Sequence, residues 1–357
     1  MVTFATKFKS VWAFCGLAVL AMVLMPQLFD EWELLQMMIY VIMSILALSL
    51  AFIWGFGGIL SFGQGVFFGL GAYTYAIAAI NFGETTGALV LAIVVPALFA
   101  AVLGYFLFYG RISDVYLGAI TLTVTLIFFN LVNSTSGPQY KIGKAALGGF
   151  NGIPAIPRLN VPGFENWDLT TTQLFCFCVG AMAVVYSSLK FVAASDFGRI
   201  VVAVRENETR AELLGYDSRK FKLATFVIGG GIAGLAGCLF ANWGAYTSPT
   251  VFALGQSVQI IIWVVVGGLG TFIGPILGCI LIQWLTSYAG GQNLINTSLL
   301  LGLILTLFVL LLPRGLVPSL HQLFDASRQR RWGKSDIERG PLTGARETVS
   351  ANPGGKA

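Results

Sequence analysis

The sequence predicts an all-α, polytopic integral membrane protein with about nine or ten membrane segments, one of them broken or re-entrant near residues 267–275. Three observations predict it. Of 357 residues, 56% are hydrophobic and only 10% charged, against about 25% charged in an ordinary soluble domain. No Asp, Glu, Lys or Arg occurs between Glu33 and Glu84, Glu84 and Arg111, Asp114 and Lys141, or Lys222 and Arg314. A charge at the bilayer centre costs about 2.5 to 3.5 kcal/mol on insertion scales, so lipid selects such gaps. Finally, apolar blocks long enough to cross about 30 Å of hydrocarbon recur along the whole chain.

Taken in order, residues 1–10 form a short N-terminal stretch whose Lys7 and Lys9 place it in the cytoplasm. The first block, Val11 to Phe29, has the look of a signal peptide but no small-residue cleavage site, and the acidic Asp30-Glu31-Trp32-Glu33 follows it. It is therefore a retained span. Leu35 to Trp54, Leu60 to Ile80, Ala88 to Tyr109 and Val115 to Asn133 come next. By parity Arg111 lies inside and the loop 134–172 outside; its Gly137-Pro138, Gly148-Gly149, Pro154, Pro157 and Pro162-Gly163 suit turns with a short helix or hairpin. Gln173 to Phe191 returns the chain to a cytoplasmic loop, 190–222, with seven Lys/Arg against five Asp/Glu.

Leu223 to Trp243, Ser257 to Tyr288 and Ile295 to Leu312 complete nine blocks. From Arg314 onward eight Lys/Arg make the tail cytoplasmic as well. Nine full passes cannot leave both ends inside, so one block is two passes, a re-entrant pair or no crossing at all. Ser257 to Tyr288 is the candidate, being long and interrupted by Gly267-Gly268-Leu269-Gly270-Thr271 and Gly274-Pro275. The membrane domain thus spans 11–320, and the polar, basic tail 321–357 is expected to be disordered.

Several chemistries are excluded by what is absent. One histidine, His321, and no clustered acids argue against a metal site or an acid–base enzyme. No Asp, Glu, Lys, Arg or His lies within the spans away from their ends, which disfavours proton coupling. The chain has no Gly-x-x-x-x-Gly-Lys-Ser/Thr loop, so it does not bind ATP by that route. Its net charge of +5 follows the positive-inside pattern rather than a nucleic-acid-binding patch. The five cysteines, including Cys176-x-Cys178, lie in apolar runs and read as packing residues.

Three groups of residues carry mechanism. Arg199 to Leu214 lacks Pro and Gly, sets Glu206 four residues before Arg210, and meets Gly215, so a short amphipathic cytoplasmic helix is expected. It is either a solvated connector or a docking helix for a soluble partner. Small residues at four-residue spacing, Gly65 with Gly69, Gly230 with Gly234, and Gly270 with Gly274 and Gly278, let helix backbones approach closely. The polar residues Ser61, Gln64, Tyr73 and Thr74, with Asn130, Asn133, Asn242, Tyr246 and Thr271, either line an uncharged path or make ordinary interhelical hydrogen bonds.

On these residues the chain resembles a known family. Ser61-Phe62-Gly63-Gln64-Gly65 with Gly71-Ala72-Tyr73, Gly149-Phe150-Asn151-Gly152-Ile153, Ala203-Val204-Arg205-Glu206-Asn207-Glu208, Ala233-Gly234-Leu235-Ala236-Gly237, Gly267-Gly268-Leu269-Gly270-Thr271 with Gly274-Pro275, and Pro313-Arg314-Gly315-Leu316 run in the order found in LivM-type permease subunits of branched-chain amino acid ABC importers, urea and short-chain amide relatives included. The resemblance implies alternating access in a bacterial inner membrane, with a second homologous permease, two ABC ATPase subunits that use Mg-ATP, and a periplasmic substrate-binding protein. The chain itself would be no enzyme and bind no cofactor. It further implies an ATPase-coupling helix carried by Arg205, Glu206, Glu208, Arg210, Ala211 and Gly215, although Glu208 is displaced from the family's usual place. Ile262-Trp263-Val264 and Leu131-Val132-Asn133 look more like the urea branch, so the substrate stays open. A passive channel for a small neutral solute is a more distant alternative, which the coupling helix disfavours.

Overall fold

The computed structural model describes residues 4–137, 139–160, 169–291, 302, 306 and 315–319. The element order is α1 (Phe4–Leu28), α2 (Glu31–Leu50) running into a π-helical turn (Ala51–Phe56), α3 (Gln64–Phe82), α4 (Thr85–Tyr109) and α5 (Asp114–Asn133). A two-residue antiparallel pair, β1 (Lys141–Ile142) and β2 (Ala145–Ala146), and a 3-10 turn (Gly149–Asn151) follow. Then come α6 (Thr171–Ala194), α7 (Asp196–Glu206), α8 (Glu208–Leu213), α9 (Ser218–Gly244), a 3-10 turn (Pro249–Phe252), α10 (Leu254–Gly267) and α11 (Ile273–Gly291). Seven of these helices are long and apolar enough to cross a membrane. The chain is an all-α, multi-pass membrane protein.

Local chemistry sets the boundaries. Asp30 and Glu33 form a capping box that starts α2, and Thr170 with Gln173 forms another for α6. Each satisfies backbone N–H groups that a helix start leaves unpaired. Gly83 closes α3 in the left-handed conformation (φ 73°), which a residue without Cβ adopts freely.

The core is α3, α4 and α9 packed on one another, with α2 beside them. Lipid gives no hydrophobic drive between helices, so close backbone approach has to supply the contact. A Cβ on Gly71 would collide with the Gly234 backbone, and one on Gly237 with the Phe68 carbonyl. The Phe226 ring closes the seam edge-on to Phe67 at 5.3 Å and Phe108 at 5.7 Å. Cys178, Cys238 and Cys279 are fully buried in such seams. By contrast α1 faces outward almost throughout, held by Phe14 stacked on Tyr186 at 4.0 Å.

Three departures from the sequence reading have physical causes. The block Leu60 to Ile80 becomes helical only at Gln64, because Gly57 and Gly58 (φ 71°) end the π turn and the chain runs irregularly to Gly63. The expected single cytoplasmic helix is two: Asn207 adopts φ −159°, and its side chain caps α8 by accepting from the Arg210 N–H at 2.9 Å. Glu206 and Arg210 therefore lie on different helices, and Glu206 pairs with Arg205 instead. The long block Ser257 to Tyr288 divides at Gly268–Phe272. At 14 residues, α10 is about 21 Å long and too short to cross alone. It folds against α11 as a hairpin in which Gly267 meets Gly274 and Gly278 meets Trp263. The ninth block, apart from Gly302 and Thr306, and the tail 321–357 lie outside the described residues.

Candidate functional site

The start of α3 lies inside the protein, not at its surface. Around it Ser49, Ser61, Gln64, Thr121, Thr125 and Ser257 are all essentially inaccessible to solvent. Ser49 donates to Gln64 Oε1 at 3.1 Å, the Phe62 N–H donates to Thr121 Oγ1 at 3.2 Å, and the Gly63 N–H donates to Ser61 Oγ at 3.1 Å. Gly65 makes the cluster possible, since a Cβ there would sit 2.9 Å from Ser257 Oγ and 3.3 Å from Thr125. Gln64 Nε2 and Ser257 Oγ have no partner among the described residues. An unpaired buried donor costs roughly 1 to 3 kcal/mol, so two beside one helix N-terminus, where the dipole is positive, suit a transient acceptor.

The remaining path candidates are spread along the membrane. Tyr73 is about 13 Å further along α3, its ring 5.6 Å from Phe252 and its hydroxyl unpartnered. Gly69 admits that same Phe252 ring. Thr74 is half-buried and lies next to Tyr73 in the chain. Asn133 is half-buried with an unpartnered Oδ1, whereas Asn130 faces outward and donates to the Leu126 carbonyl at 2.9 Å. Asn242 is structural, accepting from the Tyr75 hydroxyl at 3.0 Å and the Leu159 N–H at 2.8 Å. Tyr246 is exposed and donates to the Asn151 carbonyl.

The hairpin break carries Gly268 (φ 110°) and Gly270 (φ 85°), conformations that favour glycine. Thr271 donates to the Gly268 carbonyl and accepts from the Gly274 N–H, both at 3.2 Å, and Pro275 lies in the first turn of α11. This break meets the π turn of α2: Phe56 stacks on Phe272 at 4.3 Å, and a Cβ on Gly55 would sit 3.0 Å from the Gly270 nitrogen. Sequence reading anticipated the second break and missed the π turn, whose only signal is the close spacing of Gly55, Gly57 and Gly58.

The loop between α6 and α9 is anchored to this same place. The Arg205 guanidinium donates to the Gly55 carbonyl and to Glu206, and its stem covers Gly58. Lys222 on α9 holds Glu208 at 2.6 Å. Burial opposes ionisation of Glu208, but the hydrogen bond from Lys222 and the charges of Lys222 and Arg111 outweigh it and keep the carboxyl below its ordinary value. Ala211 is buried, Arg210 is exposed, Gly215 (φ 91°) ends the segment, and the adjacent Leu213 and Leu214 are 83% and 73% exposed.

Residues 34–312 match the family model described as branched-chain amino acid transport system / permease component. The chain belongs to this family. Over 308 residues it is 29% identical to the high-affinity branched-chain amino acid transport system permease protein LivM of Escherichia coli (strain K12), covering 79% of this chain and 68% of that protein. The protein of the same name from Salmonella typhimurium is also 29% identical, with the same coverage. A probable branched-chain amino acid transport permease protein LivM of Methanocaldococcus jannaschii is 26% identical over 73% of this chain and 81% of its own length. No solved structure matches the chain. As a permease component of a branched-chain amino acid transport system, it is a multi-pass transport subunit of the inner membrane, not itself an enzyme. The family region begins at Leu34 and so leaves out α1.

Proposed function

We propose that this permease carries branched-chain amino acids inward past the buried start of α3, driven by ATPase subunits that push on α7 and α8. The observation behind this reading is the Arg205 contact with Gly55. It ties the loop to the π turn, which leads through Gly57–Gly63 to Gln64 and stacks on the α10–α11 break through Phe56 and Phe272. A push on the loop therefore reaches both interrupted segments. Ser61, Gln64 and Ser257 would meet the polar end of an amino acid there, as broken helices in transporters do. The exposed Leu213 and Leu214 offer the ATPase an apolar contact.

In this scheme a second permease completes the path, two ATPases bind and hydrolyse Mg-ATP, and a periplasmic binding protein delivers the substrate. Both chain ends then lie in the cytoplasm. Proteoliposomes holding the assembled importer test the scheme by labelled leucine uptake and ATP hydrolysis measured together. Arg205→Ala is expected to leave hydrolysis within about twofold and to lower uptake about tenfold or more, the loss of a charged hydrogen bond being worth about one decade. Uptake and hydrolysis falling in parallel would count against coupling through Arg205. Urea uptake without leucine uptake would place the chain on the urea branch.

A further inference from the structure

A cavity of about 360 Å³ opens beside the coupling loop, between the α4–α5 turn, α8 and the start of α9. It is lined by Arg111, Ser113, Glu208, Glu212, Arg219 and Lys222, with Phe108, Ile112 and Leu117 on its apolar side. Arg111 and Arg219 also line a second cavity that adjoins it. The transport reading uses neither cavity.

Only part of the charge in the cavity is spent within it. Lys222 is taken by Glu208, while Arg111 and Arg219 form no ion pair with a carboxylate among the described residues. Among the described residues Glu212 accepts only the Ser218 hydroxyl, at 2.7 Å. The cavity thus offers two guanidiniums and one carboxylate side by side. A planar guanidinium suits the oxygens of a phosphate, and a carboxylate suits a primary ammonium.

The cavity also adjoins an exposed aromatic and apolar surface on two membrane helices. Arg219 lies 5.8 Å from the centre of the Tyr109 ring, which stacks at 4.7 Å on Tyr105. Tyr105, Phe106, Val115 and Tyr116 are all more than half exposed at these ends of α4 and α5. Aromatic rings of this kind mark headgroup depth, and basic pockets between membrane helices take lipid headgroups there. The stack of Tyr105, Tyr109 and Arg219 therefore runs from this exposed face to the cavity.

We propose that this cavity binds the phosphoethanolamine headgroup of a membrane lipid, with Arg111 and Arg219 on the phosphate and Glu212 on the ammonium. A purely anionic headgroup would leave Glu212 facing a phosphate, and a choline headgroup has no N–H to donate to it. Because Glu208 and Glu212 stand on α8, an occupied cavity steadies the coupling loop from its lipid side.

Native mass spectrometry of the full-length permease, released from nanodiscs of equal phosphatidylethanolamine, phosphatidylcholine and phosphatidylglycerol, tests this. One phosphatidylethanolamine is expected to stay bound after the other two have left. The Arg111→Gln, Arg219→Gln double variant should lose it, weakening retention about tenfold or more. Glu212→Gln should keep a bound lipid but remove the preference for ethanolamine over choline, a change that misfolding would not produce. Equal retention of all three lipids, or an unaltered adduct in the double variant, overturns the proposal. So does displacement by free phosphoethanolamine at low concentration, which points to a soluble ligand, or by the partner ATPase, which points to a protein contact.

Discussion

Glu208 is the residue on which loop and membrane helix meet through charge. Its folded pKa lies below the reference value of 4.5, so its carboxylate contributes stability that is complete above about pH 4.5 and is lost as pH falls through the folded value. Hydrogen exchange across residues 208–222 should therefore be slow and pH-independent, once corrected for intrinsic rates, near neutrality, and rise as the solution is acidified below that range. Glu208→Gln should raise exchange already at pH 7 and remove the acid step. The same residue scale explains what the sequence hid at the candidate site. Ser61 and Gln64 stand out as polar groups in an apolar run. Thr121 and Thr125 do not, because membrane-helix hydroxyls commonly bond back to their own turn, and these two do so with the Gly118 and Thr121 carbonyls. Their spacing of four, which puts both on one face, was the available signal.

Elements bounded by charge were legible, and elements bounded by backbone geometry were not. α4, α5 and α6 lie close to their expected limits because their apolar runs are flanked by polar or charged residues: Glu84 and Arg111 for α4, Asp114 and Asn133 for α5, Thr170 and Lys190 for α6. The approach to α3 was misread because Ile59 and Leu60 are as apolar in an irregular segment as in a helix. In the 190–222 loop, the Glu206–Arg210 spacing favoured one helix by only about 0.2 to 0.5 kcal/mol, whereas an Asn cap contributes about 0.5 to 2. The larger effect won, and Asn207 divides the segment. Asn207→Ala should destabilise α8 by about 1 kcal/mol. Faster exchange at Arg210, whose N–H the Asn207 side chain accepts, measures that loss. If α7 and α8 act as two levers, the variant should also weaken the dependence of ATP hydrolysis on substrate. Unaltered exchange would show that the break is fixed by the surrounding packing.

For the whole molecule, stability rests on helix seams that tolerate no side chain. Gly71 against Gly234, like Gly237 against Phe68, joins α3 to α9 where backbone meets backbone and no flexible side chain can yield. Gly71→Leu should force α3 and α9 apart and cost about 3 kcal/mol or more, at the upper end for overpacking. It would appear as loss of monodisperse protein on heating in detergent. Gly87→Leu is its control, since a Cβ there meets nothing within 4 Å. If both variants melt alike, the glycine seam is not what holds the bundle. The low charge content that first marks this chain as a membrane protein also has a distribution: charges gather in the 190–222 loop and in the tail, and that loop is wired through Arg205 to a place where two helices are interrupted.

Those seams also supply natural reporters. Cys178, Cys238 and Cys279 are sealed from solvent, and Cys279 lies on α11, which packs against α2. A water-borne thiol reagent meets no such sulfur while the helices stay closed, so the time a thiol takes to react clocks the opening of its own seam. The resting protein thus carries a built-in stopwatch for the rearrangements that transport requires, readable without introducing a single foreign residue.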